Sequence, residues 1–115
     1  MDNCSGEGEL IYDLRVYEHA EGRADAVRER FMAEVATRFP DHGIELVGAF
    51  VDVATGRLTY LTRFPDEEAR AAAWASFGSD PGWQAAKKAS EVDGPLVVKQ
   101  HVTLLSPAMA DLPLA

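Results

Sequence analysis

The sequence predicts an α+β fold, a four-stranded antiparallel sheet with its helices on one face. Three observations carry that prediction. Runs rich in β-branched and aromatic residues occur at residues 9–17, 44–53, 57–64 and 95–105. A segment with helical spacing separates the first run from the second, and segments with capping residues separate the third from the fourth. The second and third runs are joined only by "ATG", residues 54–56, a connection of hairpin length. The resulting order, β-α-β-β-α-α-β, is the ferredoxin-like order with its second helix broken in two.

Residues 1–9 carry Asn, Ser and two Gly and read as a flexible tail. In the first strand, "ELIYDLRVY", side chains alternate between faces. Ile11, Asp13, Arg15 and Tyr17 therefore share one face, and Leu10, Tyr12, Leu14 and Val16 share the other. A helix is expected over residues 23–38, where Val27, Phe31, Val35 and Phe39 recur every four positions as one apolar stripe. Pro40 ends it and "PDHG" turns the chain. In the hairpin between strands two and three, Gly56 is free to take positive φ. Asp66 is placed to cap the Ala-rich helix "EEARAAAWASF", which stops at Gly78. Asp80 followed by Pro81 starts a short third helix. Residues 10–106 thus form one domain, with a C-terminal tail over 107–115.

The net charge is −8 over 115 residues, which disfavours nucleic acid and anionic membrane surfaces as partners. No apolar run approaches the roughly 20 residues of a membrane helix. The acidic, polar start is unlike a secretory signal, so the expected location is the cytoplasm. One cysteine, Cys4, excludes an internal disulfide framework and is expected to have no chemical role. His19, His42 and His101 show no metal-ligand spacing, and no Gly-rich phosphate loop or Gly-x-Ser-x-Gly elbow is present. No metal and no cofactor are expected.

With the helices on one face, the other sheet face is bare. Phe50, Val51, Leu61, Val97, Val98 and Val102 are too apolar for both faces to meet water. A second copy, sheet against sheet, is the economical cover, so a homodimer is expected.

Several segments resemble the NIPSNAP family of the dimeric α+β barrel superfamily. "YDLRVYEHAEGR" resembles its opening strand and the Gly-Arg before the first helix. "LVGAFVDVATGRLTYLTRFPDEEARAAAWAS" resembles its Leu-Val-Gly strand, hairpin and Arg-rich helix, and "DPGWQA" its Asp-Pro-x-Trp-Gln-Ala signature. The chain departs from the family with Tyr60 where His is frequent, Thr62 where Trp occurs and Asp13 where Glu is usual. The resemblance implies a homodimer whose two sheets enclose a barrel. The wider superfamily includes cofactor-independent oxygenases, isomerases, cyclases and haem-degrading enzymes, among which fold does not choose.

The neighbouring strands expected for this order let Asp13, Arg15, Arg63 and His101 converge on one sheet face, taken as the barrel face. Asp13, Arg15 and His101 are the catalytic candidates: the imidazole moves protons near neutral pH, and a guanidinium holds an enolate or carboxylate. Tyr17, Arg63 and Tyr60 are the substrate-binding candidates, although strict alternation puts Tyr60 on the face away from Arg63. The competing reading makes Asp13, Arg15 and Arg63 a structural ion-pair network that positions strands. Trp74 and Trp83 read as core packing. Two functions follow. One is binding of a hydrophobic or aromatic metabolite with cofactor-independent isomerisation, cyclisation or monooxygenation in bacterial secondary metabolism. The other is a non-catalytic ligand-binding or adaptor dimer.

Overall fold

The computed structural model describes residues 10–109; Cys4, the N-terminal tail and the last residues of the C-terminal tail lie outside them. Strands β1 (Ile11–His19), β2 (Glu45–Val51), β3 (Leu58–Phe64) and β4 (Val97–Leu105) form one sheet in the order β2-β3-β1-β4. All three pairings are antiparallel. Helix α1 (Ala24–Arg30) leads out of β1, while α2 (Glu67–Gly78) and α3 (Pro81–Ser90) connect β3 to β4. This is the order expected from the sequence. No helix among the described residues is long and apolar enough to cross a membrane.

Helix α1 continues past its expected end. It widens into a π-helical turn at Phe31–Val35 and then tightens into a 3-10 segment at Ala36–His42 that carries Pro40 within it. The apolar stripe explains the wide turn. A repeat of four residues overshoots the α-helical turn by about 40° per step, or about 120° from Val27 to Phe39. A π turn takes up more residues per turn and offsets that drift. Val27, Phe31, Val35 and Phe39 accordingly all face the sheet, and none is more than 3% exposed. They pack on Leu58, Tyr60 and Phe64 of β3 and on Ala73 and Phe77 of α2.

The expected caps form. Asp66 accepts from the Ala69 N–H at 2.8 Å, and Asp80 accepts from the Gly82 and Trp83 N–H groups at 2.8 and 3.1 Å. In the hairpin, Asp52 Oδ1 accepts from Ala54 and Thr55, and Gly56 takes φ 77°. On the bare face, the Phe50 ring lies across Gly48, 2.9 Å from where a Cβ would stand. Gly48 thus leaves room for an aromatic ring that is 62% exposed.

His42 ties the end of the first helical run to the α2–α3 junction. Its Nδ1 is 2.6 Å from Ser76 Oγ and its Nε2 is 2.7 Å from Asp80 Oδ2. The hydrogen bond with His42 is the main cause that holds the Asp80 carboxyl below its ordinary value of 3.8; the Trp83 and Gly82 N–H groups add to it against burial. A depressed carboxyl contributes stability above its unfolded value and loses it as pH falls through its folded value. His42→Ala should therefore be less stable than the parent above pH 3.8, and the gap should narrow below it. Urea unfolding at several pH values measures this; a gap that widens in acid would contradict it.

Candidate functional site

The register separates the candidate residues into two groups. Asp13 stands opposite Thr62, Arg15 opposite Tyr60 and Tyr17 opposite Leu58. Directly opposed residues share a face, so Asp13, Arg15, Tyr17 and Tyr60 lie together under the helices. Arg63 stands opposite Tyr12, and His101 opposite Val16, on the bare face. The expected convergence of Asp13 and Arg15 with Arg63 and His101 is thus corrected: the alternation of β1 sets the pairs on opposite sides of the sheet. Asp13 and Arg15 also face the helix layer rather than the bare face.

On the bare face, Arg63 pairs with Glu45 and donates through Nη1 to the Tyr12 hydroxyl at 3.4 Å. The His101 Nε2 pairs with Glu18, whose carboxyl is held below its ordinary value mainly by that bond.

Under the helices, Asp13 has no exposed surface, and four donors meet its carboxylate. Arg15 donates from Nε at 2.8 Å and from Nη2 at 3.1 Å. Arg70 donates from Nη1 at 2.9 Å, and the Trp74 indole N–H donates at 3.1 Å. The Arg15 guanidinium lies 3.9 Å from the centroid of the Trp74 ring, a cation–π contact, and its Nη1 donates to Gln100 at 2.7 Å. Arg70 is held from behind by two hydrogen bonds to Glu67. Arg70 and Trp74 were not among the candidates from sequence, where Trp74 read as core. Their spacing of four on α2 is the available signal, because it puts a cation and an indole donor on one helix face.

Tyr17 and Tyr60 complete the inner group. Their hydroxyls share a hydrogen bond of 2.8 Å and their rings meet edge-on at 5.4 Å. Burial is the main cause that raises both phenols above their ordinary value, Tyr60 well above it. Both are neutral at physiological pH, so neither serves as a base.

Beside this group opens a cleft of about 290 Å³ between α3 and β4. Tyr17, Trp83, Val97 and Val98 give it apolar walls. Arg30 and Lys87 bring two cations to it against one carboxylate, Glu91, to which both donate, while Lys99 borders it from a register position opposite Glu18 on the bare face. Burial raises the Glu91 carboxyl, but hydrogen bonds from Arg30 and Lys87 outweigh it and leave the group below its ordinary value. Tyr17 is thus the sequence candidate that borders the cleft, and Arg15 reaches it through Gln100. Among the described residues, no three His, Cys, Asp or Glu side chains gather so as to hold a metal ion.

Removing the Asp13 charge leaves two guanidinium groups facing each other in a largely buried site. Asp13→Asn should cost roughly 3–5 kcal/mol of stability. The double change Asp13→Asn with Arg15→Gln should recover part of that loss. Denaturant unfolding of both variants tests this; a single variant as stable as the parent would show that the carboxylate is not what holds the cluster.

The family model for NIPSNAP matches residues 12–110. Solved structures agree on the fold. An uncharacterized NIPSNAP-like domain protein from Burkholderia xenovorans is 24% identical and superposes with a TM-score of 0.78 over 94% of this chain and 93% of its own. A NIPSNAP family protein of unknown function from Agrobacterium tumefaciens is 23% identical, with a TM-score of 0.77 over 94% and 96%. A putative antibiotic biosynthesis monooxygenase from Bacteroides thetaiotaomicron is 16% identical, with a TM-score of 0.68 over 93% and 97%. No curated protein matches the chain in sequence. The family match spans the sheet, the helices and the inner polar group alike, and the chain belongs to the NIPSNAP family.

Proposed function

We propose that this chain is a homodimeric small-molecule-binding protein whose ligand, a hydrophobic or aromatic acid, sits in the cleft between α3 and β4. The observation that carries the reading is the cleft itself: aromatic and aliphatic walls with an excess of cations, on an acidic protein. Pockets of this size and make-up suit small organic ligands.

Binding is favoured over isomerisation, cyclisation or monooxygenation by acid–base chemistry. The Asp13 carboxylate is enclosed by Arg15, Arg70 and Trp74 and has no surface to offer a substrate. His101 stands on the far side of the sheet, and both buried tyrosines are neutral. The inner ion pairs therefore act as scaffold that places Tyr17 and Gln100 at the cleft wall.

The dimer is supported by the bare face. Leu14, Val16 and Leu61 are partly exposed there and Phe50 is 62% exposed. Helices cannot reach this side, and a second sheet is the cover that buries such a surface. Light scattering should give twice the 12.5 kDa chain mass at micromolar concentration, and Leu61→Glu should shift it toward one chain. A parent that scatters as one chain would refute the dimer.

Isothermal titration calorimetry with 1-naphthoate tests the cleft. Saturable binding is expected, weakened about tenfold by Lys87→Glu, the scale of a lost charge-assisted contact. Absence of saturable binding, or an affinity indifferent to Lys87→Glu, would sink the reading.

A further inference from the structure

Away from the cleft, three side chains at the α2–α3 junction stand in the relation of nucleophile, base and orienting carboxylate. Ser76 Oγ is 2.6 Å from His42 Nδ1, and His42 Nε2 is 2.7 Å from Asp80 Oδ2. Each comes from a different segment. His42 ends the 3-10 segment Ala36–His42, Ser76 lies near the end of α2, and Asp80 caps α3. Local sequence does not reveal the set, because His42 is 34 residues from Ser76 and no Gly-x-Ser-x-Gly elbow marks the serine.

Hydrogen-bond accounting fixes the roles. The Asp80 carboxyl is held below its ordinary value, so at neutral pH it is ionised and only accepts. Its Oδ1 takes the Gly82 and Trp83 N–H groups, with Arg38 Nε 3.7 Å away, and its Oδ2 is left to His42. His42 Nε2 therefore carries the hydrogen and donates it. In the neutral ring Nδ1 is then the bare acceptor, and the Ser76 hydroxyl donates to it. The ring is set in the tautomer that can take a proton from Ser76. The His42 side chain is only 11% exposed and packs edge-on against Phe77 at 5.8 Å, which holds its orientation. Ser76 itself is exposed, and its helix neighbours Ala72, Ala75 and Ser79 are small and exposed too, so a carbonyl carbon can reach Oγ.

We propose that Ser76 is an activated nucleophile that accepts an acyl group from small activated esters, with His42 as its base and Asp80 as the residue that positions the base. Ser76 Oγ bonds to the ester carbonyl carbon as its proton passes to His42 Nδ1. The bond from that carbon to the leaving alcohol oxygen then breaks, and the proton leaves on that oxygen. The products are an acyl ester of Ser76 and the free alcohol. Water attacking the acyl ester by the same proton route releases the acid and restores the hydroxyl. If these hydrogen bonds only docked α2 against the first helical run, Ser76 would be no more reactive than any exposed serine. Ser79 supplies the comparison: it is also exposed, but its hydroxyl donates to the Ala75 carbonyl at 2.7 Å instead of to an imidazole.

An alkyl fluorophosphonate tests this on the full chain, with each labelled serine located by peptide mass spectrometry. The serine oxygen bonds to phosphorus, fluoride leaves, and the proton passes to the base. Ser76 should label roughly 100-fold faster than Ser79, the scale of a positioned base. Both rates come from the unaltered protein, so the comparison stands whether or not a variant folds. Asp80→Asn keeps a capping side chain but can donate to Nε2 and reverse the tautomer, and should slow Ser76 about tenfold or more. Circular dichroism checks that this variant keeps its helices. Ser76→Ala should remove the fast label. Labelling of Ser76 no faster than Ser79, or a Ser76 rate unchanged in folded Asp80→Asn protein, would overturn the proposal.

Discussion

A carboxylate with no exposed surface is tolerated only where donors enclose it, and Asp13 imposes that condition within a central strand. Arg15 satisfies it from the same strand, but the remaining donors must come from above. Arg70 and Trp74 supply them from adjacent turns of α2, which sets both the rotation and the height of that helix over the sheet. Trp74 then meets Phe39, Phe64 and Phe77 at ring-centroid distances of 5.7 to 6.2 Å. The aromatic core and the polar cluster are thus one unit, joined at the indole.

The same cluster reaches the cleft. Arg15 spends two donors on Asp13 and a third on Gln100 of β4. That bond steadies the edge strand whose Val97 and Val98 form one wall of the cleft. The Tyr17–Tyr60 hydrogen bond steadies another wall from inside the core. Long-range repulsion from a chain of net charge −8 opposes any anion that approaches. Screening limits that repulsion to about 8 Å at physiological salt, so the local cations govern the last step. On the binding reading proposed above, such a site would favour a small, singly charged, largely apolar acid over a polyanion.

Periodicity made most of the architecture legible. Four strands, the hairpin, the Asp66 and Asp80 caps and the apolar stripe of the first helix follow from local rules of spacing and capping, and each is present in the structure. The placement of Asp13 beside Arg15, and of Tyr60 away from Arg63, was legible for the same reason. The extension of the first helical run through Pro40 was not. Proline forbids an α-helical hydrogen bond in a helix interior but fits within the short 3-10 segment that follows the π turn.

The sequence by itself determined which side chains share a face within each strand, because alternation is a property of the extended backbone. It also determined where α2 and α3 begin, because the Asp66 and Asp80 caps act within a few residues. Only the tertiary structure decided which face of one strand joins which face of the next, since register depends on contacts between residues far apart in the chain. That register parted Asp13 and Arg15 from Arg63 and His101 and gave them Arg70 and Trp74 instead. It also decided which face the helices cover, and with that the place of the cleft. The reason is that choosing a face is a global comparison of buried area and satisfied polar groups, which no local segment encodes.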